Sequence, residues 1–316
     1  MFELFRLARF RFSIKAGAKG LILPPYKGAT FRGGFGSVFR RIACAMRLQD
    51  CRGCLLRQQC PYAYIFETAP PQNTKALSKY ESIPRPFVFE PPLETKQNYL
   101  PGEILHFHLV LFGQAIQYLP YFIMVFREMG EAGLGKGRHP FNLEEVTALG
   151  FDEETTIYSS ASNVVKNIDL SYCGNQLLER FPKKAERIRV VFDTPVQLKN
   201  NGRTVFHPEF HIFFRQAMRR ISSLMYFHHN QPLLVDYSTL TEQSKRVFMT
   251  ENTTRWHDWE RYSQRQQQRL NMGGLIGTVV YEGEMDDFLP FLVLGEQVHV
   301  GKYAVFGLGK YRMFVS

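Results

Sequence analysis

At 316 residues and 45% hydrophobic content, the chain can bury one large core or two of ordinary domain size. Its formal net charge of +10 favours an anionic partner such as nucleic acid or phosphate, and its tyrosines and phenylalanines can stack on bases. Arg6, Arg9 and Arg11 break the first apolar run, and Gln114, Gln117 and Pro120 break the longest one, Leu109 to Phe126, so neither a signal peptide nor a membrane span is expected.

Arg9 to Ala16 alternates strictly, with Phe10, Phe12, Ile14 and Ala16 on one face and Arg9, Arg11, Ser13 and Lys15 on the other. That predicts a half-buried strand with a basic outer face. A loop holding Pro24, Pro25, Tyr26, Lys27 and Gly28 leads into Phe35, Val38, Phe39, Ile42 and Met46, spaced as one face of a helix whose other side carries Ser37, Arg40, Arg41 and Arg47.

Four of the five cysteines follow, Cys44, Cys51, Cys54 and Cys60, in an insertion over residues 44–66. Cys51 and Cys54 have zinc-knuckle spacing, and Cys44 and Cys60 are near enough in sequence to complete a tetrahedral thiolate set. Structural zinc is expected, with an iron–sulfur cluster as the chemical rival and four unrelated buried thiols as the plainer alternative. Cysteines used this way suit reduced thiols in the cytoplasm better than a disulfide framework.

Residues 67–103 are rich in proline and read as irregular connection or edge strand. His106 to Phe112 reads as a strand and Ile116, Leu119, Ile123 and Phe126 as a helix face. A glycine-rich loop, Gly133 to Arg138, and a closing strand, Phe141 to Leu149, complete the first half.

A polar stretch from about Asp152 to Lys184 is the expected linker. Ile188 to Asp193 then reads as a strand, Lys199 to Gly202 as a hairpin, and Phe210, Phe213, Phe214, Ala217, Ile221 and Leu224 as a helix face ending near His228 and His229, expected as surface or capping residues. Arg255, Arg261, Arg265 and Arg269 surround Trp256, Trp259 and Tyr262, and the last three arginines would share one face of a helix. Leu275 to Tyr281 reads as a strand, and Phe288 to Leu292 opens a helix as Tyr118 to Phe122 does.

Near the end stands Gly307-Leu308-Gly309-Lys310-Tyr311-Arg312, a near copy of Gly133 to Arg138. Paired glycines admit an anion close to backbone N–H groups, and the Lys and Arg add charge. A shift of 175 also lays Phe31 on Phe206, Phe35 on Phe210, Phe39 on Phe214 and Arg40 on Arg215. The chain therefore reads as a duplication, an α+β protein of two tandem ferredoxin-like (RRM-like) βαββαβ domains, residues 1–175 and 176–316.

Phe31-Arg32-Gly33-Gly34-Phe35-Gly36, the four cysteines with Cys60-Pro61-Tyr62, the tract Trp256 to Ser263, and His299-Val300-Gly301-Lys302 before Phe306-Gly307-Leu308-Gly309 together resemble one family. It is the CRISPR-associated repeat-processing endoribonucleases of the RAMP superfamily, in their cysteine-containing branch. The resemblance implies binding of a CRISPR repeat hairpin and cleavage without a catalytic metal, leaving a 5′-hydroxyl and a 2′,3′-cyclic phosphate. The alternative it leaves open is a non-catalytic RNA-binding subunit of a CRISPR effector complex.

That chemistry needs a base, an acid and a cation at the phosphorane. Many members place a histidine on or after the first helix, whereas here the first histidine is His106. His299, beside the glycine-rich loop, is therefore the first candidate, followed by Tyr26 and Lys27. Lys302, Gly307 to Arg312, Arg255, Arg261 and Arg265 are the expected RNA contacts.

Overall fold

The computed structural model describes residues 1–46, 50–68, 83–263 and 268–316. The chain divides into two compact units. The N-terminal unit comprises Arg6–Tyr172 with Phe227–His229, and the C-terminal unit Met1–Phe5, Cys173–Tyr226 and Asn230–Ser316.

In the N-terminal unit the alternating segment becomes β1 (Arg6–Ala16), followed by α1 (Gly28–Ala43), β2 (Phe87–Glu90), β3 (Ile104–Phe112), α2 (Leu119–Ala132), β4 (Phe141–Leu149) and β5 (Glu154–Ser159). The strands run β2-β3-β1-β4-β5 and every neighbouring pair is antiparallel. The first six elements thus form the ferredoxin-like order, with both helices on one face. Apolar residues at strand and helix periods meet there as an aromatic core. Phe31 lies 4.7 Å from Phe107, Phe107 lies 4.8 Å from Phe126, and Phe35 stacks on Phe122 at 4.7 Å. On the opposite face Arg9 pairs with the buried Glu90, and Arg11 pairs with Glu154 at 3.1 Å.

Two expectations change here. α1 stops at Ala43, where Cys44 turns extended, so Met46 leaves the helix face and is 39% exposed. Part of the expected linker is β5, because Glu154–Ser159 finds hydrogen-bonding partners along the open edge of β4.

The C-terminal unit repeats the plan. It contains β6 (Arg187–Val196), α3 (Phe210–His228, counted to Tyr226), β7 (Phe248–Asn252), β8 (Arg255–His257), β9 (Glu260–Ser263), β10 (Gln268–Asn271), β11 (Gly274–Glu282), α4 (Leu289–Val298) and β12 (Tyr311–Val315). The order is β7-β11-β6-β12, with β8 also paired to β11. Phe213 meets Tyr311 at 5.0 Å and Phe214 meets Phe288 at 4.7 Å.

Where a helix is expected through Arg261 and Arg269, the described residues form two antiparallel strands. β9 and β10 pair Arg261 with Leu270 and Tyr262 with Arg269, and the Met272 N–H donates to Trp259 O at 2.7 Å, extending the pairing. Cross-strand pairing overrides a spacing that suited a helix, and it puts Arg261 and Arg269 at neighbouring rather than facing register positions. Arg265 lies outside the described residues. Among the described residues no helix is long and apolar enough to cross a membrane.

Candidate functional site

The glycine-rich loop joins the end of α4 to β12. Gly307 and Gly309 have φ of 84° and 78°, in the left-handed region, and a Cβ on Gly309 would stand 2.0 Å from Val300 O. The glycines thus let two backbone segments touch. Their N–H groups are spent inside the unit, with Gly307 donating to Ala304 O at 2.8 Å and Gly309 to Pro195 O at 3.0 Å. Thr194, buried on β6, knits the loop: its hydroxyl donates to Gly307 O at 3.0 Å and accepts from the Lys310 N–H at 2.9 Å. The expected open cradle of backbone donors is not what the glycines build.

What the loop offers an anion is side-chain charge. Gly307, Leu308, Gly309 and Tyr311 are buried, and the Tyr311 hydroxyl donates to Leu292 O at 2.5 Å. Lys310 is half-buried and Lys302 exposed. Burial and the charge of Lys199 both hold the Lys302 ammonium below its ordinary range, so two cations face one another and an anion there would relieve the repulsion. Arg312 is exposed but its guanidinium is bidentate to Asp193, at 2.8 and 2.7 Å, which offsets its charge. Glu296 on α4 accepts the Met313 N–H, bracing the strand that leaves the loop. Burial pushes that carboxyl up to about 7, against the opposing pull of the Met313 bond and Arg312.

His299 stands where α4 ends, at φ 59°, with no exposed surface. Its Nδ1 is 3.1 Å from Leu308 O. A carbonyl can only accept, so Nδ1 carries the proton and the ring ties helix end to loop. Arg220 on α3 grips the same end, its Nε donating to Val298 O at 2.5 Å, and burial lowers the guanidinium to about 10. His299 and Arg220 therefore both brace the end of α4, and Lys302 lies near Lys199.

Tyr26 and Lys27 belong to the other unit. Lys27 is fully buried, its Nζ donating to Pro25 O at 3.1 Å and Glu94 O at 2.9 Å, and burial lowers its pKa. Tyr26 is half-buried, and burial with the charge of Glu90 raises its phenol well above the ordinary value, which disfavours the phenolate. His228 is not a surface residue, being fully buried between the Tyr64 hydroxyl at 3.1 Å and Pro84 O at 2.7 Å. The sequence reading passed over an exposed histidine, His106 on β3, whose Nδ1 is 2.9 Å from Ser13 Oγ on β1. Strand alternation could have found that pair, since Ser13 and His106 sit on the polar face.

Cys44 is buried and Cys51, Cys54 and Cys60 are half-buried, all as free thiols. Among the described residues no group of three or more His, Cys, Asp or Glu side chains is arranged to hold a metal ion, so the expected four-thiolate set is not assembled there. Cys44 sits on extended backbone at the end of α1, whereas Cys51 opens a short 3₁₀ turn. Arg255 is exposed on β8; of Arg261 only the strand position is described.

Residues 5–170 match the AF_1859_N N-terminal-domain family, and residues 190–311 match the family described as CRISPR-associated endoribonuclease Cas6. An uncharacterized protein of Archaeoglobus fulgidus is 26% identical over 299 residues, 92% of each chain. Among solved structures, a product complex of a Thermus thermophilus Cas6 aligns over 98% of this chain and 100% of that one, at 15% identity and a TM-score of 0.57. A RAMP protein described as binding different RNA substrates aligns over 97% and 99%, at 8% identity and a TM-score of 0.50. At these identities the structural likeness speaks for the fold.

Proposed function

We infer the function from the family to which the chain belongs, the CRISPR-associated RAMP-type endoribonucleases, with an AF_1859_N domain as its first half and a Cas6 domain as its second. The protein binds CRISPR repeat RNA and cleaves it. The observation that carries this is the coincidence of the Cas6 match with the braced loop region, where Lys302 lies close enough to Lys199 to feel its charge, in a strongly basic chain. Phosphate contacts tolerate loose geometry, and cations held on a rigid loop suit them.

Cleavage proceeds by attack of the ribose 2′-oxygen on the adjacent phosphorus. The new P–O2′ bond forms as the P–O5′ bond breaks, one proton leaves the 2′-hydroxyl and another reaches the 5′-oxygen, leaving a cyclic phosphate and a 5′-hydroxyl. The cation near the phosphorane is assigned to Lys302 or Lys310. His299 is read as a positioning residue rather than the base, because its ring is enclosed and its Nδ1–H is committed to Leu308 O. Lys27 is read likewise as structural, and Tyr26, whose phenol is raised by burial and is therefore a reluctant acid, is given no part in the step; both lie in the other unit.

A repeat RNA carrying a single 2′-deoxynucleotide at the cut position tests the chemistry. It should bind as the unmodified RNA does and stay intact; cleavage of the deoxy substrate overturns the proposal. Binding without cleavage of either RNA favours the second reading, a non-catalytic RNA-binding subunit of a CRISPR effector complex, for which the enclosed His299 is the motivating observation. Structural zinc would require Cys44, Cys51, Cys54 and Cys60 to draw together from the positions described above; it and a cytoplasmic location rest on the number and spacing of the cysteines alone.

A further inference from the structure

The internal repeat breaks at one position. Phe210 and Phe214 are as buried as their counterparts Phe35 and Phe39, but Phe206 does not follow Phe31. Phe31 is fully buried inside α1, whereas Phe206 precedes α3 and is 56% exposed. Its ring lies against the Trp256 indole, with centroids 4.8 Å apart and planes at 53°.

Trp256 is held from two sides. Its backbone pairs with Leu275 in the β8–β11 ladder, and its indole N–H donates to the Asp258 carboxylate at 2.8 Å. The indole is partly exposed, and Arg255 and His257 on either side of it are exposed. Arg255 makes no ion pair among the described residues. A lone exposed phenylalanine is ordinary. Two adjoining rings, one of them fixed by a hydrogen bond, make an exposed apolar surface of the kind on which a base stacks.

We propose that Phe206 and Trp256 form a stacking platform for an unpaired RNA base. The proposal rests on the RNA-binding reading above and locates a single-stranded part of that RNA. Bases inside a duplex already have both faces stacked, so only an unpaired nucleotide can use the platform. The charge of +10 over the chain favours nucleic acid over the apolar side chain of a protein partner as the occupant.

The chain has two tryptophans, so Trp259→Phe leaves Trp256 as the sole indole reporter. This variant is titrated with an unpaired oligoribonucleotide of about eight nucleotides and, separately, with a blunt RNA duplex. Trp256 emission and the anisotropy of end-labelled RNA are followed together. Expected are saturable quenching by the unpaired RNA at the same midpoint as the anisotropy change, and no quenching by the duplex. Adding Phe206→Ala should weaken unpaired-RNA affinity about five- to hundred-fold, the range of one lost base stack, with the circular-dichroism melt unchanged. An anisotropy rise without any change in Trp256 emission, or equal quenching by duplex, overturns the platform while leaving RNA binding intact. No anisotropy rise with either RNA, or with the full repeat, overturns both.

Discussion

Replacing Glu296 by glutamine removes a buried carboxyl from α4 while keeping an acceptor for the Met313 N–H. The carboxyl is raised by burial from 4.5 to about 7 in the folded chain, so the folded state holds the proton more tightly than the unfolded one. Below about pH 4.5 both states are protonated and nothing is lost. Between about 4.5 and 7 the unfolded chain ionises first, so stability falls as pH rises; above 7 the loss is complete. Holding the proton up to about pH 7 instead of 4.5, at about 1.36 kcal/mol per tenfold change in proton affinity, sets an upper limit of about 3.4 kcal/mol, and partial solvent access brings it to about 2–3 kcal/mol. Thermal melts of wild type and Glu296→Gln at pH 4 and pH 8 check this. The variant should melt with the wild type at pH 4 and about 5–10 °C higher at pH 8. A variant that is no more stable than wild type at pH 8 would refute the burial argument and mark the ionised carboxylate as a net stabiliser through Arg312.

Gly309→Ala would place a Cβ 2.0 Å from Val300 O at φ 78°, and should cost about 2 kcal/mol or more in denaturant unfolding while loosening the loop's hold on RNA. Phe35→Ala, which removes a ring packed against Phe39, Phe89 and Phe122, should destabilise the N-terminal unit by about 3–5 kcal/mol in the same assay. Lys302→Ala should lower the salt dependence of RNA binding by about 0.7–0.9 in the slope of log K against log salt, and an unchanged slope would remove Lys302 from the phosphate contacts. Metal analysis should give about one zinc per chain, and a metal-free protein that melts like the metal-loaded one would overturn the zinc proposal.

The fold was legible because its signal is periodic. Alternation along Arg9–Ala16 and the helical spacing of Phe35, Val38 and Phe39 each place an apolar face, and two copies of one pattern point to one plan repeated. The site was less legible because its geometry depends on partners far apart in the chain. Thr194 meets Gly307 across 113 positions, and Lys27 meets Glu94 across 67, so neither threonine as a loop clamp nor lysine as a buried donor has a local signature. Paired glycines looked the same from sequence whether they cradle an anion or let Val300 approach, and only the destination of each N–H separates the two. The pairing of β9 with β10 escapes the sequence for a related reason: arginines four apart suit a helix, and cross-strand pairing is invisible to spacing alone.

The central claim is cleavage of repeat RNA through its own 2′-hydroxyl. Incubating the purified protein with end-labelled repeat RNA in the presence of EDTA, followed by end-group analysis of the fragments, tests it most directly. A single major cut is expected, with a 5′-hydroxyl on one product and a 2′,3′-cyclic phosphate on the other. RNA that stays whole, or fragments bearing a 5′-phosphate and a 3′-hydroxyl, would contradict it.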